Sequence, residues 1–384
     1  MDLLTEADLF ALIENQVRED YQIEYKQAVL RDGKERQDKV DFLASVTSFA
    51  NTIGGDLLIG VEAESGVPVG LPGWQGVDVD KEKLRIEHLL RDLVEPRVAF
   101  TIREIPLGSG NTVLVLRVPW SWAQPHMVRV DQVNRFYYRH SAGKDIMNVT
   151  QLRAAFALTT RLEEQVRRFR DERITAVKNG TDGRLTPPAG PTVVVHVVPF
   201  ESFRSGFTLD LEATMKIAQG GLLPLGTGSN GHVYTLDGIF CFDELPSCNA
   251  YTQVFRNGIM ETASRRLLTH PHGKKLIPCG AVPRDVLGYV RSAITFYQRI
   301  SVPPPLVVMM SIIGVQGFEF ATSTEFGAGY YTHRVDRDDL VLPEVLVQDV
   351  TMSPTDLCRP MFDALFNAAG FARWPEYETY KRQG

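Results

Sequence analysis

The chain is poor in cysteine. Its four thiols, Cys241, Cys248, Cys279 and Cys358, form no Cys-x-x-Cys pair, so neither a disulfide framework nor a zinc ribbon is expected. No apolar run approaches ~18 residues, which excludes a membrane-spanning helix. The start, Met1-Asp2-Leu3-Leu4-Thr5-Glu6, has neither a basic segment nor a cleavable apolar core, so it does not read as a signal peptide. A cytoplasmic, reduced protein follows. No Gly-x-x-x-x-Gly-Lys-Ser/Thr run exists, so there is no ATP motif. No serine, histidine and acid arrangement stands out for acyl transfer. His270-Pro271-His272 with Cys279 fits no zinc-ligand spacing. Internal repeats and low-complexity tracts are missing too. Positive charge is also short: the net charge is −6. The acidity sits in residues 1–150, with 17 Lys and Arg against 23 Asp and Glu; residues 151–384 carry 24 of each. A broad phosphate-binding face shows a basic excess. Tight non-specific nucleic-acid binding is therefore disfavoured, though a local basic patch or an acidic metal cluster is not.

What is present is globular. Hydrophobic residues make up 44% and charged residues 23%, enough apolar surface for a core. At 384 residues two domains are expected. Thr5 with Asp8 marks a helix start, and Ile23–Gln27 a strand. An apolar stripe of Val40, Leu43, Val46, Phe49, Ala50 and Ile53 predicts a helix over 38–53, ended by Gly54-Gly55. Asp56–Glu62 is a buried strand, followed by a Glu64–Val67 turn and a short partner through Val69. A helix over 81–94 stops before Pro96. Hairpin strands flank Gly108–Asn111, and Arg135–His140 is a further strand. A charged helix begins near Thr150. Turn formers from Lys178 to Pro191 mark the clearest boundary. Beyond it come Val193–Val198, an Asn257-Gly258 hairpin turn, a helix over 285–300, a strand over 306–315 and a helix over 361–369. The organisation is thus residues 1–150, a connecting helix and linker over 151–189, and a second α+β domain over 190–384.

Chemistry concentrates between Glu19 and Glu62. On the first strand Glu24 and Lys26 share a face, so a carboxylate and an amine project together. Such a pair could hold a divalent metal, Mg²⁺ or Mn²⁺, and a phosphate; the plainer alternative is the wet face of an edge strand. Arg135, Tyr137, Arg139 and Lys144, with Trp120, Trp122 and His126 near in sequence, could form a stacking and phosphate-contacting surface; the alternative is an amphipathic strand with core aromatics. Asn51, Thr52 and the two glycines could meet a phosphate, but a helix C-terminus repels anions, and a helix cap fits the glycines better.

Several ordered pieces carry a resemblance: Glu24-Tyr25-Lys26, Ser48–Gly55, Leu57–Val61, Val69-Gly70-Leu71, Pro125-His126, and Phe136-Tyr137-Tyr138-Arg139 with a turn at Gly143-Lys144. Together they resemble the AlbA-like domain of the Schlafen family over roughly residues 15–150. The resemblance implies a mixed-sheet α+β domain that binds RNA or DNA. In Schlafen nucleases it implies a three-carboxylate, divalent-metal endoribonuclease site acting on tRNA or other structured RNA. Carried over, the carboxylates fall on Glu19, Glu24 and, one place out of register, Glu62. The alternative is a non-catalytic binding or regulatory module. The second domain resembles the tail behind such domains and would serve partner recognition or self-association as a homo-oligomer.

Overall fold

The computed structural model describes residues 4–383 apart from 30–34, 75–77, 132, 141–142, 182, 187–189, 205, 229–230, 269–273 and 322–333. The sequence also suggests a solvated loop over Arg31–Arg36, of which 31–34 lie outside the described residues while Glu35 and Arg36 open a helix; Pro187-Pro188 and His270-Pro271-His272 lie outside them too. The chain divides into two compact units, Met1–Arg161 and Leu162–Gly384, and both mix helices with sheets.

In the first unit the elements run α1 (Glu6–Glu14), β1 (Ile23–Lys26), α2 (Glu35–Ala50), β2 (Gly54–Ile59), β3 (Glu62–Glu64), β4 (Val67–Gly70), α3 (Val79–Leu93) and β5 (Val94–Glu95). They continue with β6 (Thr101–Pro106), β7 (Thr112–Pro119), β8 (Met127–Val130), β9 (Val133–His140), β10 (Gly143–Ile146) and α4 (Val149–Asn179), which crosses the boundary between the units. One mixed sheet has the order β1-β2-β7-β6, with β1 parallel to β2 at the edge; a second has the order β10-β9-β8-β5. The expected turn at Gly143-Lys144 is instead strand, because β10 pairs antiparallel with β9, Lys144 opposite Arg139.

Helix α2 packs against both sheets. That placement explains a sequence with little amphipathic signal. From Phe42 to Ala50 every residue is buried, including Ser45, Thr47 and Ser48. Thr47 donates to the Leu43 carbonyl and Ser48 to the Ser45 carbonyl, each at 2.8 Å, and Ser45 has a side-chain partner described below, so their burial leaves no donor unpaired. The helix stops at Ala50, three residues before the sequence pattern suggests, and Ile53 is exposed. Strand β2 alternates as a sheet with two covered faces must: Leu57 and Ile59 face the α2 core, and Leu58 joins Leu9 and Tyr25 on the other side.

Gly54-Gly55 is fixed by crowding. Gly54 has φ +79, and a Cβ there would lie 2.7 Å from the Trp120 amide nitrogen. A Cβ on Gly55 would lie 2.3 Å from the Phe49 ring and 2.7 Å from the Gln22 carbonyl oxygen.

The second unit holds β11 (Thr192–Pro199), α5 (Leu211–Gln219), β12 (Gly231–Thr235), β13 (Gly238–Phe242), β14 (Ala250–Phe255), β15 (Met260–Ser264), β16 (Leu276–Pro278) and α6 (Ala281–Arg299). After these come β17 (Leu306–Ile313), β18 (Glu319–Ala321), β19 (Asp339–Val341), β20 (Val345–Val347), α7 (Pro354–Ala368) and α8 (Tyr377–Gln383). An antiparallel sheet runs β12-β13-β14-β15-β11-β17-β19, with β20 also on β17. Helices α5, α6 and α7 cover one face. Ile174 and Val177 of α4 cover Val194, Tyr251, Ala263 and Ile313 on the other. Double coverage is why β11 reads as an unbroken valine run. The Asn257-Gly258 turn joins β14 to β15 as expected. Helix α7 starts at Pro354 and passes through Pro360, earlier than the stretch from Met361 that the sequence suggests.

Beneath α4 lies a buried ionic group. His196 and Glu261 face each other across β11 and β15, with His196 Nε2 2.9 Å from Glu261. Arg173 donates to both Glu261 oxygens at 2.8 Å, and the Tyr251 hydroxyl donates at 2.7 Å. The four cysteines are free and buried. Among the described residues no helix is long and apolar enough to cross a membrane.

Candidate functional site

The site grows from β1. The strand alternates: Ile23 and Tyr25 join the apolar cluster under α1, which turns Glu24 and Lys26 to the α2 side. Glu24 is therefore buried, with 5% of its surface exposed, and is not on a wet edge. Its Oε2 accepts from Arg139 of β9. Its Oε1 accepts from the Ser45 hydroxyl at 2.7 Å and lies 3.1 Å from Lys144 Nζ and 3.2 Å from Lys26 Nζ. Three cations from three strands thus converge on one carboxylate. Burial pushes the Glu24 carboxyl up, but Lys144, Lys26, Arg139 and Ser45 pull harder and hold it well below the ordinary range.

Arg139 is locked. It donates to the Asp20 carbonyl at 2.7 Å and to the Ile23 carbonyl at 3.1 Å, and lies 4.2 Å over the Phe49 ring. Lys26 and Lys144 are less enclosed, and both also pair with Asp41, one helical turn before Ser45 on α2. Burial lowers Lys26, and Glu24 and Asp41 more than restore it. Asp41 and Ser45 did not stand out in the sequence. Among the many polar residues of α2 this i, i+4 pair carries no distinguishing signal.

The remaining expected residues lie elsewhere. Glu19 accepts from the Tyr25 amide at 2.9 Å and its own amide donates to the Gly66 carbonyl. Glu62 is exposed on β3, its Oε2 close to Gly70. Tyr137 belongs to the core, and Arg135 is exposed. Trp122 and His126 are buried, the imidazole pushed down to about 4 by burial. Asn51 bridges strands: its amide nitrogen donates to the His126 and Tyr137 carbonyls and its oxygen accepts from the His126 amide. Thr52 accepts from the Arg139 amide. Asn51 and Thr52 thus tie the end of α2 to β8 and β9, and Asn51 has no side-chain donor to spare for a phosphate.

The donor set does not fit a divalent metal. Among the described residues no three His, Cys, Asp or Glu side chains group to hold an ion. A cation at Glu24 would meet the positive charges of Arg139, Lys26 and Lys144 at contact range, and Glu19 and Glu62 have the separate environments just described.

Residues 19–148 match the family described as Schlafen, AlbA_2. Among solved structures, the chain is similar to the solution NMR structure of the N-terminal domain of an ATP-dependent DNA helicase RecG-related protein from Nitrosomonas europaea. That match has 23% identity over 38% of this chain and 95% of the other, with a TM-score of 0.28. It is also similar to the DIP2311 protein from Corynebacterium diphtheriae, at 17% identity over 37% of this chain and 27% of that one, TM-score 0.24. No curated protein matches the chain. The family points to a nucleic-acid-related function. Residues 19–148 of this chain are a Schlafen AlbA_2 domain.

Proposed function

We propose that the first unit binds the phosphate backbone of RNA or DNA through Lys26 and Lys144, with Arg135 as a further exposed contact, and that it acts as a binding module. The observation that carries this reading is the convergence of Lys26, Lys144 and Arg139 on buried Glu24. Buried Glu24 fixes two partly exposed ammonium groups at the surface, and fixed ammonium groups suit phosphate oxygens. Glu24 and Arg139 are positioning residues here. The acidic surroundings favour modest affinity that fades with salt.

Fluorescence anisotropy of the full chain with labelled RNA and DNA oligonucleotides tests it. Lys26→Ala and Lys144→Ala should weaken binding across all sequences alike and flatten the salt dependence by roughly one phosphate contact each. Absence of binding at low salt overturns the proposal. A parallel incubation with tRNA and Mn²⁺ addresses the other use of the family's fold. Cleavage by the wild type that Glu24→Ala abolishes would replace the binding module with a metal-dependent endoribonuclease, in which Glu19, Glu24 and Glu62 must rearrange around the ion.

A further inference from the structure

The Lys26–Lys144 seat already holds an anion, and it belongs to the protein. Asp41 Oδ1 lies 2.8 Å from Lys144 Nζ, and Oδ2 touches Lys26 Nζ. The members of this trio differ in freedom. The lysine side chains are 15% and 20% exposed, and that of Asp41 is 45% exposed. Glu24, beneath them, is enclosed by four partners and has no room to leave. Asp41 alone can swing into solvent by a side-chain rotation, a fast and cheap motion at an exposed position.

We propose that Asp41 is a built-in stand-in for a phosphodiester and closes the seat until a nucleic-acid backbone displaces it. This rests on the binding reading above. The exchange conserves charge: an internucleotide phosphate carries one negative charge, as Asp41 does, and offers oxygen acceptors to the same two ammonium donors. The seat meets backbone and not bases, so it contributes no sequence preference. It does contribute a threshold, because a bound phosphate must first replace an intramolecular partner at high effective concentration. A domain whose net charge is negative thereby keeps this cationic feature masked.

Binding of the full chain to short RNA and DNA oligonucleotides, run as separate arms, tests the proposal. Asp41→Asn should bind roughly two- to thirtyfold tighter at low salt, the range that two lost surface ion pairs span. Glu35→Gln, exposed on the same helix, makes the same change in net charge and should leave affinity nearly unaltered. Adding Lys144→Ala to Asp41→Asn should cancel most of the gain. Equal binding by Asp41→Asn and the wild type overturns the stand-in while leaving the binding module intact. A gain of the same size in Glu35→Gln, or one that survives Lys144→Ala, overturns it as well, since bulk charge then accounts for the effect. Failure of every variant to bind removes the binding reading and the stand-in together. A gain confined to one arm would keep the stand-in and name the nucleic acid.

Discussion

Replacing Glu24 with Gln separates the two uses of this carboxylate by sign. If Glu24 belongs to a cluster of metal-binding carboxylates, neutralising it in the metal-free protein relieves repulsion, and stability stays level or rises. If it organises cations, Glu24→Gln strands buried charge. Arg139 and Glu24 have side chains only 1% and 7% exposed, and removing one partner of a pair this buried costs ~3–5 kcal/mol. Gln keeps the shape and can still hydrogen-bond Ser45, so the lower end, ~3 kcal/mol, applies. In a unit of this size that is roughly 6–12 °C of melting temperature. Tryptophan fluorescence reports the first unit selectively, because Trp74, Trp120 and Trp122 lie in it and only Trp374 lies in the other. Urea unfolding followed this way should shift for Glu24→Gln, while Glu19→Gln and Glu62→Gln stay within about 1 kcal/mol of the wild type. Mn²⁺ should stabilise none of them; an ion bound to the native state would raise the midpoint with concentration. An unshifted or more stable Glu24→Gln, or a Mn²⁺-dependent midpoint lost in that variant, would refute the reasoning.

Acid should destabilise the protein in a predictable direction. Glu24, Asp41 and Glu261 are all held below their ordinary values in the folded state. A depressed folded pKa gives stability that is full above the unfolded value, about 4–4.5 for these carboxyls, and is lost as pH falls below it; urea midpoints at descending pH should fall there, and fall less in Glu24→Gln. Gly55→Ala should cost ~1–3 kcal/mol through overpacking against Phe49 and the Gln22 carbonyl, whereas Gly110→Ala, with φ +89 and nothing within 4 Å, should cost only about 1 kcal/mol of backbone strain; thermal melts of the two variants make the comparison. In the second unit, Arg173→Met leaves Glu261 buried without its bidentate partner and should cost ~3–5 kcal/mol, much of it recovered in Arg173→Met/Glu261→Met; calorimetry of the single and double variants checks this.

The sequence carried the elements well where a period or a break was strong. Thr5 with Asp8 forms the capping box it suggested, and the Asn257-Gly258 hairpin and the buried valine strand are where pattern placed them. Helix α2 was harder to read, since a helix covered by two sheets has no dry and wet side and its buried serines look like surface. Pro360 hid the first turns of α7 for a local reason: proline is a breaker by default, and here the helix continues through it. At the site, strand alternation put Glu24 and Lys26 on one face but could not say that the face was inside. Which cations would close over Glu24 depended on β9 and β10 arriving from more than 110 positions later, a contact that spacing does not encode. The ionic group at Glu261 was invisible for the same reason, being assembled from α4, β11, β14 and β15.

An acidic unit and the proposed phosphate seat are compatible because sign is decided locally. The deficit of positive charge over residues 1–150 sets the long-range field, which repels a polyanion and keeps non-specific encounters weak. Within the contacting cluster the count is different: Lys26, Lys144 and Arg139 against Glu24 and Asp41 leave one positive charge, and Asp41 swinging outward opens the two ammonium donors. The two lysines stay in place because Glu24, which cannot follow them into solvent, anchors both. A nucleic acid held at another point on the protein would meet this seat at high local concentration, and a free one would reach it best at low salt.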